Sequence, residues 1–304
     1  MFLNLLVLAF MMLLSLLSVA FLTLLERKIL GLIQFRKGPN KTGFYGVFQP
    51  FSDAIKLFTK EFNSPLKINF YPFWLSPVIS LCVSLLLWVV FPYFYIVMSW
   101  SYSILFLFSV MSFMVYPLMS SGWFSNSLYS ILGSIRSIAQ SISYEVSFFL
   151  MIACLLFFTC SLTLIDFIKY QSEILFIFFT FPVFMMFMVS LLAELNRTPF
   201  DFSEGESELV SGFNVEYGGF GFAFIFLSEY LGILFSSMLL CIFFCVGTYM
   251  NYLFCFKLVL ISFMVIVIRG SLPRYRYDKL MDMCWKSYLC AILMLILFYS
   301  SLVF

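Results

Sequence analysis

Histidine is missing altogether from this 304-residue chain, and its eight cysteines (82, 154, 160, 241, 245, 255, 284 and 290) form no Cys-x-x-Cys pair. Haem, iron–sulfur clusters and structural zinc are held by histidine or by clustered thiolates, so none is expected here, nor any other metal site. If the chain takes part in redox chemistry, the electrons must come from another protein. Cys241 and Cys245 stand one helical turn apart, but inside an apolar run, where they read as small buried hydrophobes. Charge is scarce too. Only 11% of residues carry one, and a net charge of +2 gives no reason to expect a nucleic-acid partner. There is no internal repeat and no linker-like stretch, so the chain reads as one transmembrane domain, 1–304.

Hydrophobic residues fill the space that charge leaves. At 63% of the chain, they exceed what a soluble domain can hide. A crossing helix takes about 20 apolar residues. By that measure the fold is an all-α polytopic membrane protein with eight transmembrane helices, near 2–25, 72–91, 101–121, 139–164, 174–193, 217–247, 252–268 and 285–304. The first is too long for the apolar core of a cleavable signal, and no Arg-rich transit sequence precedes it, so it is expected to be retained. The 43 phenylalanines suit a thymine-rich organellar gene. The stretch 217–247 is longer than one perpendicular crossing, so strong tilt or a break is expected near Gly218, Gly219 and Gly221.

Residues 47–60 follow a different pattern. Phe48, Phe51, Ile55 and Phe58 fall on one helical face; Gln49, Ser52, Asp53, Lys56 and Lys60 fall on the other, and Pro50 suits a first turn. This predicts a short amphipathic helix, lying at the membrane interface or packed as an ordinary surface helix on the bundle.

The charges are unevenly placed. With eight spans, all of the 17 Lys and Arg except Lys169 and Lys257 fall on connections at one end. By the positive-inside rule that end faces the cytoplasm or, in a mitochondrion, the matrix. The same end carries Glu194 to Tyr217, which packs Glu194, Asp201, Glu204, Glu206, Glu208 and Glu216 around a single cation, Arg197. Acids so close together titrate as a set. Glu145 and Glu229 lie inside spans, where an ionised acid facing lipid costs on the order of 3 kcal/mol or more, so each is a functional candidate. For Glu145 the plain alternative is a structural hydrogen bond to a neighbouring helix.

Three segments then carry a resemblance: Glu26-Arg-Lys-Ile-Leu-Gly with Arg36-Lys-Gly-Pro-Asn40; Glu194-Leu-Asn-Arg-Thr-Pro-Phe-Asp201 with Glu204 to Asn214; and Pro273-Arg-Tyr-Arg-Tyr-Asp278. Each is short. In this order and on one side, together with Ser141 to Glu145, they resemble the membrane-subunit family of respiratory complex I, NADH–ubiquinone oxidoreductase, that comprises the mitochondrially encoded chain 1 and its bacterial counterparts. The resemblance runs from Glu26 to about Trp285. It implies a core membrane subunit with no complete active site of its own. It implies a chamber for ubiquinone, the substrate, built with hydrophilic quinone-module subunits, and small membrane subunits and the lipid bilayer as further neighbours. Flavin and the iron–sulfur cluster belong to partners, and no cofactor is bound by this chain. The implied location is the mitochondrial inner membrane, with the charged loops in the matrix.

On this reading Phe48 and Phe51 edge an apolar portal, and Arg27, Arg36 and Arg274 stabilise negative charge during quinone reduction. Asp201, Glu204, Glu206 and Glu208 answer by exchanging protons with Glu194, Glu216, Glu145 and Glu229. Two positions depart from the family: Lys279 stands where Gln is usual, and Phe44 where Pro is common. Lys279 adds charge near the chamber. Three rivals remain. A transporter predicts repeats and paired half-helices; a membrane-bound hydrogenase subunit uses the same scaffold without quinone; a structural anchor leaves the acids in the fourth and sixth spans unexplained.

Overall fold

The computed structural model describes residues 2–61, 64–92, 100–247 and 252–303; the side chains of 2, 3, 206, 207 and 303 are outside that description, as is the expected turn residue Tyr93. In chain order the helices are α1 (Phe2–Ile33), α2 (Gln49–Thr59), α3 (Phe70–Leu87), α4 (Ser103–Phe124), α5 (Leu128–Thr159), α6 (Leu164–Tyr170), α7 (Phe176–Phe179), α8 (Phe181–Glu194), α9 (Glu206–Leu209), α10 (Gly219–Leu240), α11 (Tyr252–Ser271), α12 (Tyr277–Asp282) and α13 (Leu289–Val303). No strand occurs among the described residues.

Among the described residues, seven stretches are long and apolar enough to cross a membrane, and they correspond to seven of the eight expected spans. The fifth is divided. Pro182 sits in the first turn of α8, whose 14 residues span about 21 Å, short of the roughly 30 Å hydrocarbon layer. The one-turn helix α7 precedes it, separated by the non-helical Thr180.

Several boundaries move. α1 runs on to Ile33, eight residues past the expected end at 25, because Glu26 is neutralised within the bundle and so does not stop the helix. α5 begins at Leu128, not near 139. Its first turns present a buried stripe of small and polar residues, Ser130, Gly133, Ser134, Ser137 and Gln140, of which Ser130 and Ser134 pack on Gly122 of α4 and Gly133 and Gln140 meet the acidic connection. The break expected near Gly218–Gly221 lies instead at the far end of that span. α10 is unbroken to Leu240 and then widens into a π-helical turn, Cys241–Cys245. Side chains satisfy the carbonyls that such a turn frees. Gln171 Nε2 donates to the carbonyls of Ile242 (2.7 Å) and Phe243 (3.1 Å), and Lys257 Nζ to that of Cys245 (2.6 Å).

α10 is the axle of the bundle: 78% of its apolar window is buried, against 17% for α1 and 22% for α11, which stand at the periphery. Around its far end Phe187 of α8 meets Phe148 at 4.7 Å, Phe244 at 5.5 Å and Phe243 at 5.7 Å. Such ring pairs contribute about 0.5–1.5 kcal/mol each beyond the area they cover. Lipid tails are as apolar as leucine, so the helices associate by close fit and small residues, not by escape from water. Ser76, Ser80 and Ser84 accordingly line the buried side of α3, with Ser80 Oγ 3.5 Å from Ser228 Oγ of α10.

Gly133 marks the tightest approach of α5 to the acidic connection. A Cβ there would sit 2.9 Å from the amide nitrogen of Phe213 and 3.0 Å from the carbonyl oxygen of Ser203. Backbone cannot yield as a side-chain tip does. Gly133→Val is expected to destabilise by about 1–3 kcal/mol, read as a lowered midpoint of thermal unfolding of the purified assembly.

Candidate functional site

The four charged connections converge at one end of the bundle. Arg27 of α1 reaches Asp53 of α2 (2.5 Å), Arg136 of α5 reaches Glu208 (2.6 Å), and Arg274 reaches Asp201 (2.9 Å). The backbone closes the ring: Tyr275 N donates to the carbonyl of Pro199 (2.9 Å), and Asn126 Nδ2 to that of Lys67 (3.0 Å).

α2 spans 49–59, within the predicted 47–60, and lies across α1 and α10. Phe51 meets Phe21 of α1 edge-on at 6.1 Å, and Phe58 meets Phe224 of α10 at 6.2 Å. Gln49 Nε2 donates to Asp53 Oδ1 (2.9 Å), so Asp53 is held from both sides. Phe48 remains 62% exposed, leaving an apolar rim with few partners inside the chain. Arg27 thus serves to moor this helix. Arg36 stands exposed at the surface, its Nε donating to Gln34 Oε1 (2.9 Å).

The acidic connection is folded inward and is not a solvated loop. Asp201, Arg197 and Asn214 are buried. Asp201 accepts from the amide of Glu204 (3.2 Å) as well as from Arg274, and Asn214 Nδ2 donates to Glu204 Oε1 (3.5 Å). Arg197 Nη2 pairs with Glu229 of α10 (3.2 Å), and its guanidinium lies over the ring of Tyr230 at 4.6 Å. Burial works against charge on Arg197, but Glu229 first, then Tyr230, Glu204 and Asp201, outweigh it and hold its pKa above the ordinary arginine value. Tyr230 Oη donates to Glu26 Oε2 (2.5 Å), and the other oxygen of Glu26 accepts from Arg269 of α11. Glu229, Arg197, Tyr230, Glu26 and Arg269 therefore form one polar chain between the connection, α10, α1 and α11, buried at Arg197, Tyr230 and Glu26 and half-buried at its two ends, with a void of about 10 Å³ beside the last four, room for a single water.

A second branch leads toward the bundle interior. A cavity of about 70 Å³ is lined by Glu194, Asn196, Ser203, Ser228, Ser80 and Glu229. A neighbour of about 80 Å³ shares Glu194, Leu195, Asn196 and Gly232 with it and extends to Ser141 of α5. At about 10–15 Å³ per molecule each has room for several waters. Asn196 Oδ1 is buried with no protein partner among the described residues, as such a water would require. The side-chain carboxyl of Glu194 makes no hydrogen bond or ion pair among the described residues, and it lies within electrostatic reach of Glu145.

The structure thus brings together Asp201, Glu204, Glu229, Glu194, Glu145 and Arg274. Glu208 is exposed and tied to Arg136; Glu216 is half-buried with no ion pair among the described residues; the side chain of Glu206 is not described. Arg27 and Arg36 lie apart from the buried chain. Lys279 is the third residue of α12, exposed. Glu26, Tyr230, Arg269, Gln140 and Asp53 belong to the arrangement but do not stand out by pattern. A signal for one pair is present: an acid at the end of the first span and a base at the end of the seventh, at the same predicted depth.

The family described as NADH dehydrogenase matches residues 6–300. The chain is 53% identical over 287 residues to NADH-ubiquinone oxidoreductase chain 1 of Locusta migratoria, covering 94% of this chain and 91% of that one. It is 52% identical over 285 residues to the Anopheles gambiae protein of the same name (94% and 91%), and 50% identical over 288 residues to that of Artemia franciscana (94% and 95%).

Proposed function

This chain belongs to the NADH dehydrogenase family of chain 1 subunits, and from that membership we propose that it forms the membrane-side floor and portal of a ubiquinone-reducing chamber and passes protonation changes there into the bilayer. It works as a core membrane subunit of an NADH–ubiquinone oxidoreductase. The carrying observation is the run of ionisable groups from Arg274 and Asp201 through Glu204, Arg197 and Glu229 to Glu194, with one cavity lined by both Glu229 and Glu194 and a second adjoining it at Glu194.

The chamber is completed by hydrophilic partner subunits that carry the flavin and the iron–sulfur cluster, which supply electrons. Turning a quinone into a quinol takes two electrons and two protons. An isoprenoid tail needs an apolar way in, and the rim of α2 against α1 and α10, with Phe48 and Phe51, provides one. Negative charge on the quinone favours a rearranged Arg274–Asp201 pair and protonation of the acids behind it. Glu229 answers through Arg197, water in the cavities carries the proton change to Glu194, and Glu145 responds to the charge on Glu194. The inner mitochondrial membrane, with this end in the matrix, fits the one-sided distribution of Lys and Arg. A quinone-free hydrogenase role gains no support from relatives named for ubiquinone.

Glu194→Gln tests this with little structural disturbance, since Glu194 has no hydrogen-bond or ion-pair partner to lose among the described residues. In the assembled complex, proton translocation coupled to quinone reduction is expected to fall by about tenfold or more. NADH oxidation by a soluble artificial acceptor stays at the wild-type rate, because it ends in the partner subunits. Full translocation in the variant rules out the inward path.

A further inference from the structure

Gln140 lies on the small-residue face of α5, 0% exposed, with α8 and the acidic connection packed against it. Its Nε2 donates to two backbone carbonyls, Ala193 (2.7 Å) and Phe200 (2.9 Å). Those carbonyls bracket the tight bend that carries Glu194, Asn196 and Arg197 and opens directly onto Asp201. Gln140 Oε1 has no donor among the described residues, so the side chain is held by its two N–H groups alone. Two acceptor carbonyls fix the amide orientation, since the oxygen end would face oxygen in the flipped state. The bend is fastened from the other side as well, through Tyr275 N to the carbonyl of Pro199 (2.9 Å).

We propose that Gln140 is a positioning residue for proton coupling: by clamping the Ala193 and Phe200 carbonyls with one amide, it sets the separation between Glu194 and Asp201. The inference rests on the reading in which those two acids respond to quinone reduction. It goes beyond that reading by making a neutral residue on a third helix the spacer between them. Glutamine suits the task because it brings two donors and no charge. An ionised carboxylate there brings none and repels both carbonyls.

The test compares Gln140→Met, Gln140→Glu and Glu194→Gln in the assembled complex. The methionine variant is expected to lose about tenfold or more of quinone-linked turnover and proton translocation, with normal amounts of complex and normal NADH oxidation by an artificial acceptor. The glutamate variant regains one donor only when protonated. Its quinone-linked rate relative to wild type should therefore rise as pH falls from about 8 to about 6, whereas the ratio for the methionine variant stays flat. If both variants match wild type at every pH, the proposal is overturned. If the methionine variant does not assemble, the pH trend of the glutamate variant decides, and a flat ratio overturns it. Failure of both to assemble makes Gln140 purely structural and also overturns it. If Glu194→Gln pumps normally, the underlying reading has failed; if Glu194→Gln is impaired while both Gln140 variants are normal, only the clamp has.

Discussion

Replacing Arg269 with methionine is expected to cost about 3–5 kcal/mol and to lower the amount of assembled complex several-fold. Glu26 is the reason. It is 5% exposed, and its carboxylate is shared between the guanidinium of Arg269 and the hydroxyl of Tyr230. Methionine keeps most of the packing beside Val265 and Ile266 but leaves Glu26 buried with only a neutral donor. The reverse substitution, Glu26→Gln, is milder, because the Arg269 side chain is 30% exposed and can turn toward solvent or headgroups. The double variant Glu26→Gln/Arg269→Met should be more stable than Arg269→Met alone, with a coupling of about 0.5–3 kcal/mol. Thermal unfolding of the purified complex measures all four states. A single Arg269→Met variant as stable as the double one means that the pair does not bind α1 to α11.

Much of this arrangement is legible in the amino-acid sequence, and the parts that are not share a cause. Spans are legible because twenty apolar residues without charge leave few alternatives. The α2 helix is legible because Phe48, Phe51, Ile55 and Phe58 repeat at the helical period. That Glu26 ends up inside is not legible locally: beside Arg27 and Lys28 it looks like the first charge past a span. Its burial depends on Arg269 and Tyr230, 243 and 204 residues away in sequence. Arg27 misleads in the opposite way. As a cation at the charged rim it suggests a quinone contact, and the sequence gives no sign that Asp53 on the neighbouring helix also pairs with it. The early start of α5 has a signal that hydropathy hides: Ser130, Gly133, Ser134, Ser137, Gln140, Ser143, Tyr144 and Ser147 recur at helical spacing, and all are buried. A stripe of small polar residues reads as a loop on a hydropathy scale and as a helix face by period. The division of the fifth span turns on Pro182, which is visible; that α7 and α8 separate at Thr180 follows from packing around it. Among the acids, density marks one connection, but only the fold separates inward Asp201 and Glu204 from outward Glu208.

The substitution Asp201→Asn distinguishes a structural ion pair from a working one. Asparagine has nearly the same shape and keeps an oxygen for the amide of Glu204, which now donates to Asp201 at 3.2 Å. Its amide group has donors of its own and no charge, so Arg274, whose side chain is 27% exposed, loses its counter-ion. Removing one member of such a pair is expected to cost about 2–5 kcal/mol in whatever state needs the pair intact. If that state is only the fold, Arg274→Gln on top of Asp201→Asn removes the charge that Asp201 had balanced, and stability and turnover return together. If the pair answers charge on the quinone, the double variant regains stability but not turnover. The second outcome is expected. Quinone-linked NADH oxidation should fall by about tenfold or more, equivalent to about 1.4 kcal/mol or more of lost transition-state stabilisation, in both Asp201→Asn and the double variant. Oxidation by an artificial acceptor should be unchanged in each. The decisive comparison is between the unfolding midpoint and the quinone-linked rate in the double variant. Recovery of both together reduces Asp201 to a strut, whereas recovery of the midpoint alone places the carboxylate among the groups that respond to quinone reduction.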